Sequence, residues 1–452
     1  MGAMRKRLYQ SSDEGLTLVE VMVAMFIFAL VSSGVIYTML SVMTIGRDSR
    51  ARQVATHLAA EAVDRAREEE DLFDLLDTTY TRELNGDVFT VSRSTAWISD
   101  PDEDIVCGGG GGQLRYKRVN VEVSWENMRA GSVPARADTV IDPKTRINDP
   151  TRGTLLVSVL NGAGEGAGGV TVTAQRTNAA GSPVGSALPA VTTDAQGCAF
   201  ILRVEPGSYR VSISRPGYRD VTNVENPTTS TAVSAGTSAS VSFNYDAAAT
   251  YRVTYAEGAE PTPSVARTMP TTFLSTYGIV EPTAPTGTNP RNFSAFPFAS
   301  GYDVIAGRYR APIEGVSEGC LSPDPAAWPG GARSEALAGG PGETVTGPVR
   351  TGLVTVTVTP GTTGSRFIRA VSVGSPPPGT EDPGCSEGYE FIFNPAPIDG
   401  DGNAVLALPY GSWQLYRGTS SNPSTLITSG QMAPMSRGTV TGNVLTLDPR
   451  SS

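Results

Sequence analysis

From Leu16 to Ile45 the chain runs thirty residues with a single charge, Glu20. About 20 apolar residues suffice to cross the hydrocarbon of a bilayer as a helix. The stretch therefore constrains the chain to a membrane-spanning helix, and it leaves one acid near the start of that helix. A charge at the bilayer centre costs roughly 2.5–3.5 kcal/mol even on the lenient insertion scale. An acid carried at such a cost calls for a partner, which makes Glu20 a candidate functional residue.

The residues before the run set its direction. Met1 to Gly15 holds Arg5, Lys6 and Arg7, followed by Asp13 and Glu14. A short cationic segment of this kind stays on the cytoplasmic side. A secretory signal has an apolar core of about 7–15 residues followed by a small-residue cleavage site. Here the apolar run is longer and the small residue, Gly15, precedes it. Cleavage after Gly15 would keep the helix on the mature chain and create a new amine at Leu16.

Polar leader, Gly15, an apolar residue, Thr17-Leu18-Val19-Glu20 and then a membrane helix: this order resembles the type IV prepilins, over roughly the first 75 residues. Leu16 stands where family members usually carry Phe or Met. The resemblance implies that a prepilin peptidase cuts between Gly15 and Leu16 and that Leu16 is N-methylated. It also implies that Glu20 pairs with the terminal amine of a neighbouring subunit, which would set the assembly register.

Residues 47–76 contain neither Pro nor Gly. Val54, Leu58, Ala62 and Val63 form a weak helical stripe, while Glu61/Arg65 and Asp64/Arg67 are spaced as pairs on an exposed helix face. One helix from Leu16 to about Leu76 would be about 90 Å long. A sheet is expected over 86–142, from Val88–Val91, Ala96–Ile98, Arg115–Trp125 and Ala137–Ile141. Val119 to Trp125 alternates with period two, as a half-buried strand does. Cys107 is followed by five glycines, a loop with no side chains to pack. No Lys-Ser/Thr follows it as a phosphate-binding loop requires.

An internal repeat fills much of the rest. Its first copy runs Gly153–Val159, Val170–Val172, Asp194-Ala-Gln-Gly197-Cys-Ala199-Phe200 and Gly207-Ser-Tyr209. Its second runs Gly352–Val358, Val371–Val373, Asp399-Gly-Asp-Gly402-Asn-Ala404-Val405 and Gly411-Ser-Trp413. Each closes with a further strand, Ala239–Tyr245 and Thr439–Leu447. Strands of this length and spacing suggest small antiparallel sandwiches. The two copies resemble the carboxypeptidase-regulatory-like or Cna-B-like modules of extracellular proteins, which implies display without catalysis. No Lys follows Lys144, so a Lys–Asn isopeptide crosslink of the kind some Cna-B modules make has no amine here.

The expected architecture is α+β: a long N-terminal transmembrane, pilin-like helix packed on a small antiparallel sheet, then two or three all-β sandwich modules. Its parts are a leader (1–15) and a pilin-like domain (16–150, membrane helix 16–45). A β-sandwich module (151–246) follows, then a divergent β module or decorated linker (247–345) and a second sandwich module (346–452).

Four cysteines, Cys107, Cys198, Cys320 and Cys385, are too dispersed for a zinc site, which needs four clustered ligands. Outside the cytoplasm disulfides are their natural use, with three connectivities open. Cys320 and Cys385, both in loop-like sequence, are the favoured pair; Cys107 and Cys198 stay undecided. His57 is the only histidine, so Ser-His-Asp and Cys-His schemes have no base. Asp399-Gly-Asp401-Gly-Asn403 looks like half a calcium loop, but Ala404 and Tyr410 stand where an EF-hand needs Gly and Glu. A turn is the simpler reading, and no metal or cofactor is expected. A net charge of −10 argues against wrapping nucleic acid by phosphate neutralisation.

The sequence thus reads as a non-enzymatic minor pilin of a type IV pilus or related filament. It would sit in the cytoplasmic membrane with its C-terminus outside, then in a cell-surface filament. Its partners would be prepilin peptidase, other pilin or pseudopilin subunits, the membrane and an extracellular ligand of the β modules. The alternatives are a type II secretion-like pseudopilin and a membrane-anchored surface adhesin that does not polymerise.

Overall fold

The computed structural model describes residues 17–100, 103–105, 114–126, 128–129, 131–144, 147, 149–283, 289–358, 367–394, 396, 398–420 and 422–450. The chain forms two compact units, the second beginning at Asn148. The architecture is the α+β one expected, a single long apolar helix followed by β-sheets that build sandwich modules.

In the first unit helix α1 runs Leu18–Glu68, 51 residues or about 77 Å. Its outer part buries Ala51, Ala55, Leu58, Ala59, Ala62, Val63 and Ala66, the i, i+3/i+4 stripe of an amphipathic helix. Most of these are alanines, which let the helix axis approach the sheet closely. The helix stops at Glu68, short of the expected Leu76. Glu68, Glu69, Glu70 and Asp71 crowd negative charge at the C-terminal end, where the helix dipole disfavours it. Beyond them Leu72 and Leu75 turn into the core.

The helix packs on an antiparallel sheet. Its strands are β1 (Thr78–Leu84), β2 (Asp87–Asp100), β3 (Glu103–Ile105), β4 (Tyr116–Trp125) and β5 (Ala135–Ile141). They are ordered β1-β2-β4-β5, with β3 on β2. Lys117, Val119, Val121, Val123 and Trp125 of β4 are buried, and the residues between them are more open. Buried Lys117 donates to the Leu72 carbonyl at 2.8 Å and lies over the Trp97 ring, so its charge keeps partners in the core.

The first sandwich takes β6 (Gly153–Leu160), β7 (Thr171–Thr177), β8 (Val191–Thr192), β9 (Cys198–Val204), β10 (Gly207–Ser214), β11 (Tyr218–Asp220), β12 (Thr228–Val233) and β13 (Ser238–Ala247). One sheet is ordered β12-β10-β7-β8 and the other β11-β13-β6-β9. Leu155, Val157, Val159, Val172, Val211, Ile213 and Tyr245 fill the space between them. The Asp-x-x-Gly motif is a tight turn that carries the chain from β8 in one sheet to β9 in the other. Asp194 accepts from the backbone of Gln196 and Cys198, both at 2.9 Å. Gly197 has φ +76°, and a Cβ there would lie 2.2 Å from the Val159 carbonyl oxygen. In the second copy Asp399 caps Asp401 and Asn403 in the same way, so this carboxylate serves a turn.

The repeat is also legible in its hydrogen bonds. Strand 352–357 pairs antiparallel with 403–408 as β6 does with β9, and 367–372 with 411–418 as β7 does with β10. Tyr209 donates its hydroxyl to the Glu205 carbonyl at 2.9 Å, and Trp413 its indole N–H to Pro409 at 3.0 Å. In each copy the aromatic is buried and closes the tight turn four residues back. Trp413→Phe removes the donor and leaves a carbonyl without it. We expect a loss of about 1–3 kcal/mol in urea unfolding, and a similar loss for Tyr209→Phe.

The copies differ at their ends. Residues 439–447, expected as one strand, are a hairpin, because Gly442 (φ +61°) and Asn443 form a two-residue turn between Thr441 and Val444. The intervening residues 247–345 do not stand apart. Strand 249–255 pairs parallel with 344–349, and 264–265 with 406–407. One hydrophobic core runs from Ala249 to Leu447, so the division expected at 345/346 falls inside that core. Tyr251, Phe273 and Tyr302 make edge contacts there, and Phe293 packs tilted on Phe273. The buried Tyr251 hydroxyl has no partner among the described residues, and burial pushes its pKa up to about 12.

Candidate functional site: the amino-terminal helix

The helix begins where a cap allows it to. Thr17 is extended (φ −72°, ψ 147°) and its hydroxyl accepts from the Glu20 amide at 3.3 Å, satisfying one of the orphan donors of the first turn. Thr-x-x-Glu is the pattern of a capping box, so the threonine has a local structural role that the sequence reading left unassigned. Glu20 lies in the first turn, the end at which the helix dipole favours an acid. It is exposed, and its carboxylate has no hydrogen bond or ion pair among the described residues.

Beyond Glu20 the helix presents apolar side chains on every face. Met25 is 70% exposed, Phe28 74% and Tyr37 76%, and no residue of α1 before Ala51 is buried. A helix apolar all round belongs inside a membrane or a helical bundle. Three hydroxyls in the run are satisfied internally: Ser33 donates to Ala29, Thr38 to Val35 and Thr44 to Ser41, at 2.7–2.8 Å. That is the arrangement an apolar solvent demands, since an unmet polar group there costs several kcal/mol.

Gly15 and Leu16, the residues of the expected cleavage and methylation, lie outside the described residues, as does Cys107. Cys320 and Cys385 form a disulfide, S–S 2.08 Å, and Cys198 is also disulfide-bonded. His57 is exposed on α1. Among the described residues no group of three His, Cys, Asp or Glu could hold a metal.

The prokaryotic N-terminal methylation motif matches residues 10–36, the span that contains Gly15, Leu16, Thr17 and Glu20. No curated protein sequence matches the chain. Solved structures overlap it weakly. The Bacillus anthracis TIE protein is 12% identical, over 84% of this chain and 72% of that one, with a TM-score of 0.20. A Streptococcal ancillary pilin is 10% identical, over 60% and 80%, TM-score 0.22. BcpA, the major pilin subunit of Bacillus cereus, is 10% identical, over 66% and 95%, TM-score 0.20. Scores this low define no shared overall fold. The chain carries the N-terminal methylation motif of type IV prepilins on an exposed apolar helix, ahead of β-sandwich modules.

Proposed function

We propose that this protein is a structural, non-catalytic, minor-pilin-like subunit. It is inserted in the cytoplasmic membrane by α1, trimmed after Gly15 by a prepilin peptidase, N-methylated on Leu16 and assembled with other pilin subunits into a filament. The methylation motif over 10–36 carries this reading, and the exposed apolar surface of α1 before Ala51 supports it. The new amine at Leu16 and the unpartnered Glu20 carboxylate are complementary charges. Joined between neighbouring copies, they would remove the cost of burying each alone. The β modules would be carried outside the cell; their bulk suits a low-copy or tip position, since they would crowd every repeat of a dense shaft.

The first test is the N-terminus of the protein recovered from its native envelope, read by intact mass and N-terminal peptide mass spectrometry. The expected chain begins at Leu16 and carries one additional methyl group. A chain that still begins before Gly15 would refute processing and leave an uncleaved anchor displaying β modules.

A further inference from the structure

The lower rim of the first unit is built unlike its upper end. From Glu20 to Arg47 the helix carries no charge, a rise of about 40 Å. The hydrocarbon core is about 30 Å thick, and about 40–45 Å with its headgroup layers. With Glu20 near one boundary, Arg47, Arg50 and Arg52 emerge in the opposite headgroup layer.

Two loops of the sheet are tied to the helix at this level. Arg47 pairs with Asp87, just after the β1–β2 turn. Arg52 donates to the Val133 carbonyl at 2.7 Å and lies over Trp125, in the β4–β5 connection. Each loop presents an aliphatic side chain to the outside, Leu84 at 38% and Val133 at 66% exposure. Between the helix and the β1–β2 turn is a crevice of about 280 Å³ lined by Arg47, Arg50, Leu84 and Asn85 among others. Arg50 is exposed there, and among the described residues its side chain hydrogen-bonds only to the Gly46 carbonyl.

The two ends of the unit differ in charge. At the rim Arg47, Arg50, Arg52 and Arg129 are interspersed with Asp48, Glu83, Asp87 and Glu126. Asp87 is engaged by Arg47, and Asp48 accepts from Ser132 at 3.4 Å. From Glu68 to Asp77, past the far end of α1, there are six acids and no base. Arginine stems lie on apolar surface while their heads reach the interface, and cations near an anionic leaflet are attracted within a Debye length.

We propose that this rim is a membrane-docking collar: Arg50 and its neighbours bind phospholipid headgroup phosphates of the outer leaflet while Leu84 and Val133 enter the interface. The collar seats the subunit on the bilayer, acidic end away from it, before assembly. The proposal rests on α1 spanning the membrane. It adds that the folded part of the first unit touches lipid as well.

The test uses the full chain, native disulfides left oxidised, in nanodiscs of phosphatidylglycerol and phosphatidylcholine. Spin labels are placed singly through Leu84→Cys, Val133→Cys, Val31→Cys and Asp74→Cys. Accessibility to oxygen and to a water-soluble nickel chelate is then measured. The expected result is that Val31 reads as deep in lipid, Leu84 and Val133 as interfacial, and Asp74 as aqueous. Adding Arg50→Glu should shift Leu84 and Val133 to the aqueous signature and leave Val31 unchanged. Val31 in lipid with Leu84 and Val133 aqueous would overturn the collar while sparing the membrane helix; Val31 aqueous would overturn both. Interfacial labels unmoved by Arg50→Glu would overturn the arginine–phosphate contact.

Discussion

Glu20→Ala is expected to leave the subunit folded and inserted in the membrane but to remove it from filaments. The carboxylate touches nothing else among the described residues, and α1 packs on the sheet only from Ala51 onward, so the substitution has no fold to disturb. It makes insertion easier, because the acid is the one costly residue in the run. On the proposed pairing, what it removes is the partner of the neighbouring subunit's amine. Leaving one member of a buried ion pair uncompensated costs about 3–5 kcal/mol. The fraction assembled should therefore fall by roughly 100-fold or more, at 1.36 kcal/mol per factor of ten.

The comparison to make is the amount of variant in sheared filaments against the amount in membranes, with wild type alongside. Glu20→Gln keeps the size and the polarity but not the charge, and should fail nearly as badly. Wild-type incorporation of Glu20→Ala would reject the pairing role. The Thr17 cap uses the Glu20 backbone amide, which alanine keeps, so loss from both fractions would point to failed insertion or degradation, and a pulse-chase of the membrane fraction separates these.

The legible parts of this chain are those where one physical requirement acts alone. The apolar run and its acid were plain because a bilayer imposes length and composition together. The strand Val119–Trp125 was plain because one face is buried and the other is wet. Strand β1 was missed: Thr-Thr-Tyr-Thr-Arg-Glu-Leu is an edge strand with no fully buried residue, so its pairing with β2 leaves no apolar alternation to read. The helix end was misplaced because the absence of Gly and Pro says where a helix can continue, whereas clustered acids at its dipole decided where it stopped. The hairpin at 439–447 carried a Gly-Asn signal that the repeat alignment overrode. The continuous core from Ala249 to Leu447 was beyond sequence reach, since its parallel pairings join strands about 90 to 140 residues apart and leave no local trace. At the candidate site, Glu20 is evident as the lone charge of an apolar run, while Arg47, Arg50 and Arg52 acquire their setting only from the loops beside them.

Replacing both Cys320 and Cys385 by serine is expected to destabilise the second unit by about 4 kcal/mol. The bridge closes a loop with a sequence separation of 65, and the entropy removed from the unfolded chain by a loop of that length corresponds to about 4 kcal/mol. Both cysteines are buried, and their residues pair across a short antiparallel bridge. Around them Leu321 donates to Gly384 at 2.9 Å, Ser386 to Gly319 at 2.9 Å, and Asp382 accepts from Ser412 at 2.7 Å. These bonds hold the native geometry without the sulfurs, so the variant should fold and lose stability through its less constrained unfolded state. With a urea slope of about 2–3 kcal/mol/M, the midpoint should fall by about 1–2 M. A fall below about 0.3 M would reject the loop-entropy account. Substituting both cysteines avoids a free thiol that could exchange with the disulfide of Cys198. Disulfides persist in oxidising compartments and are rare in the cytosol, so protein held under reducing conditions should unfold at the lower urea concentration of the serine variant.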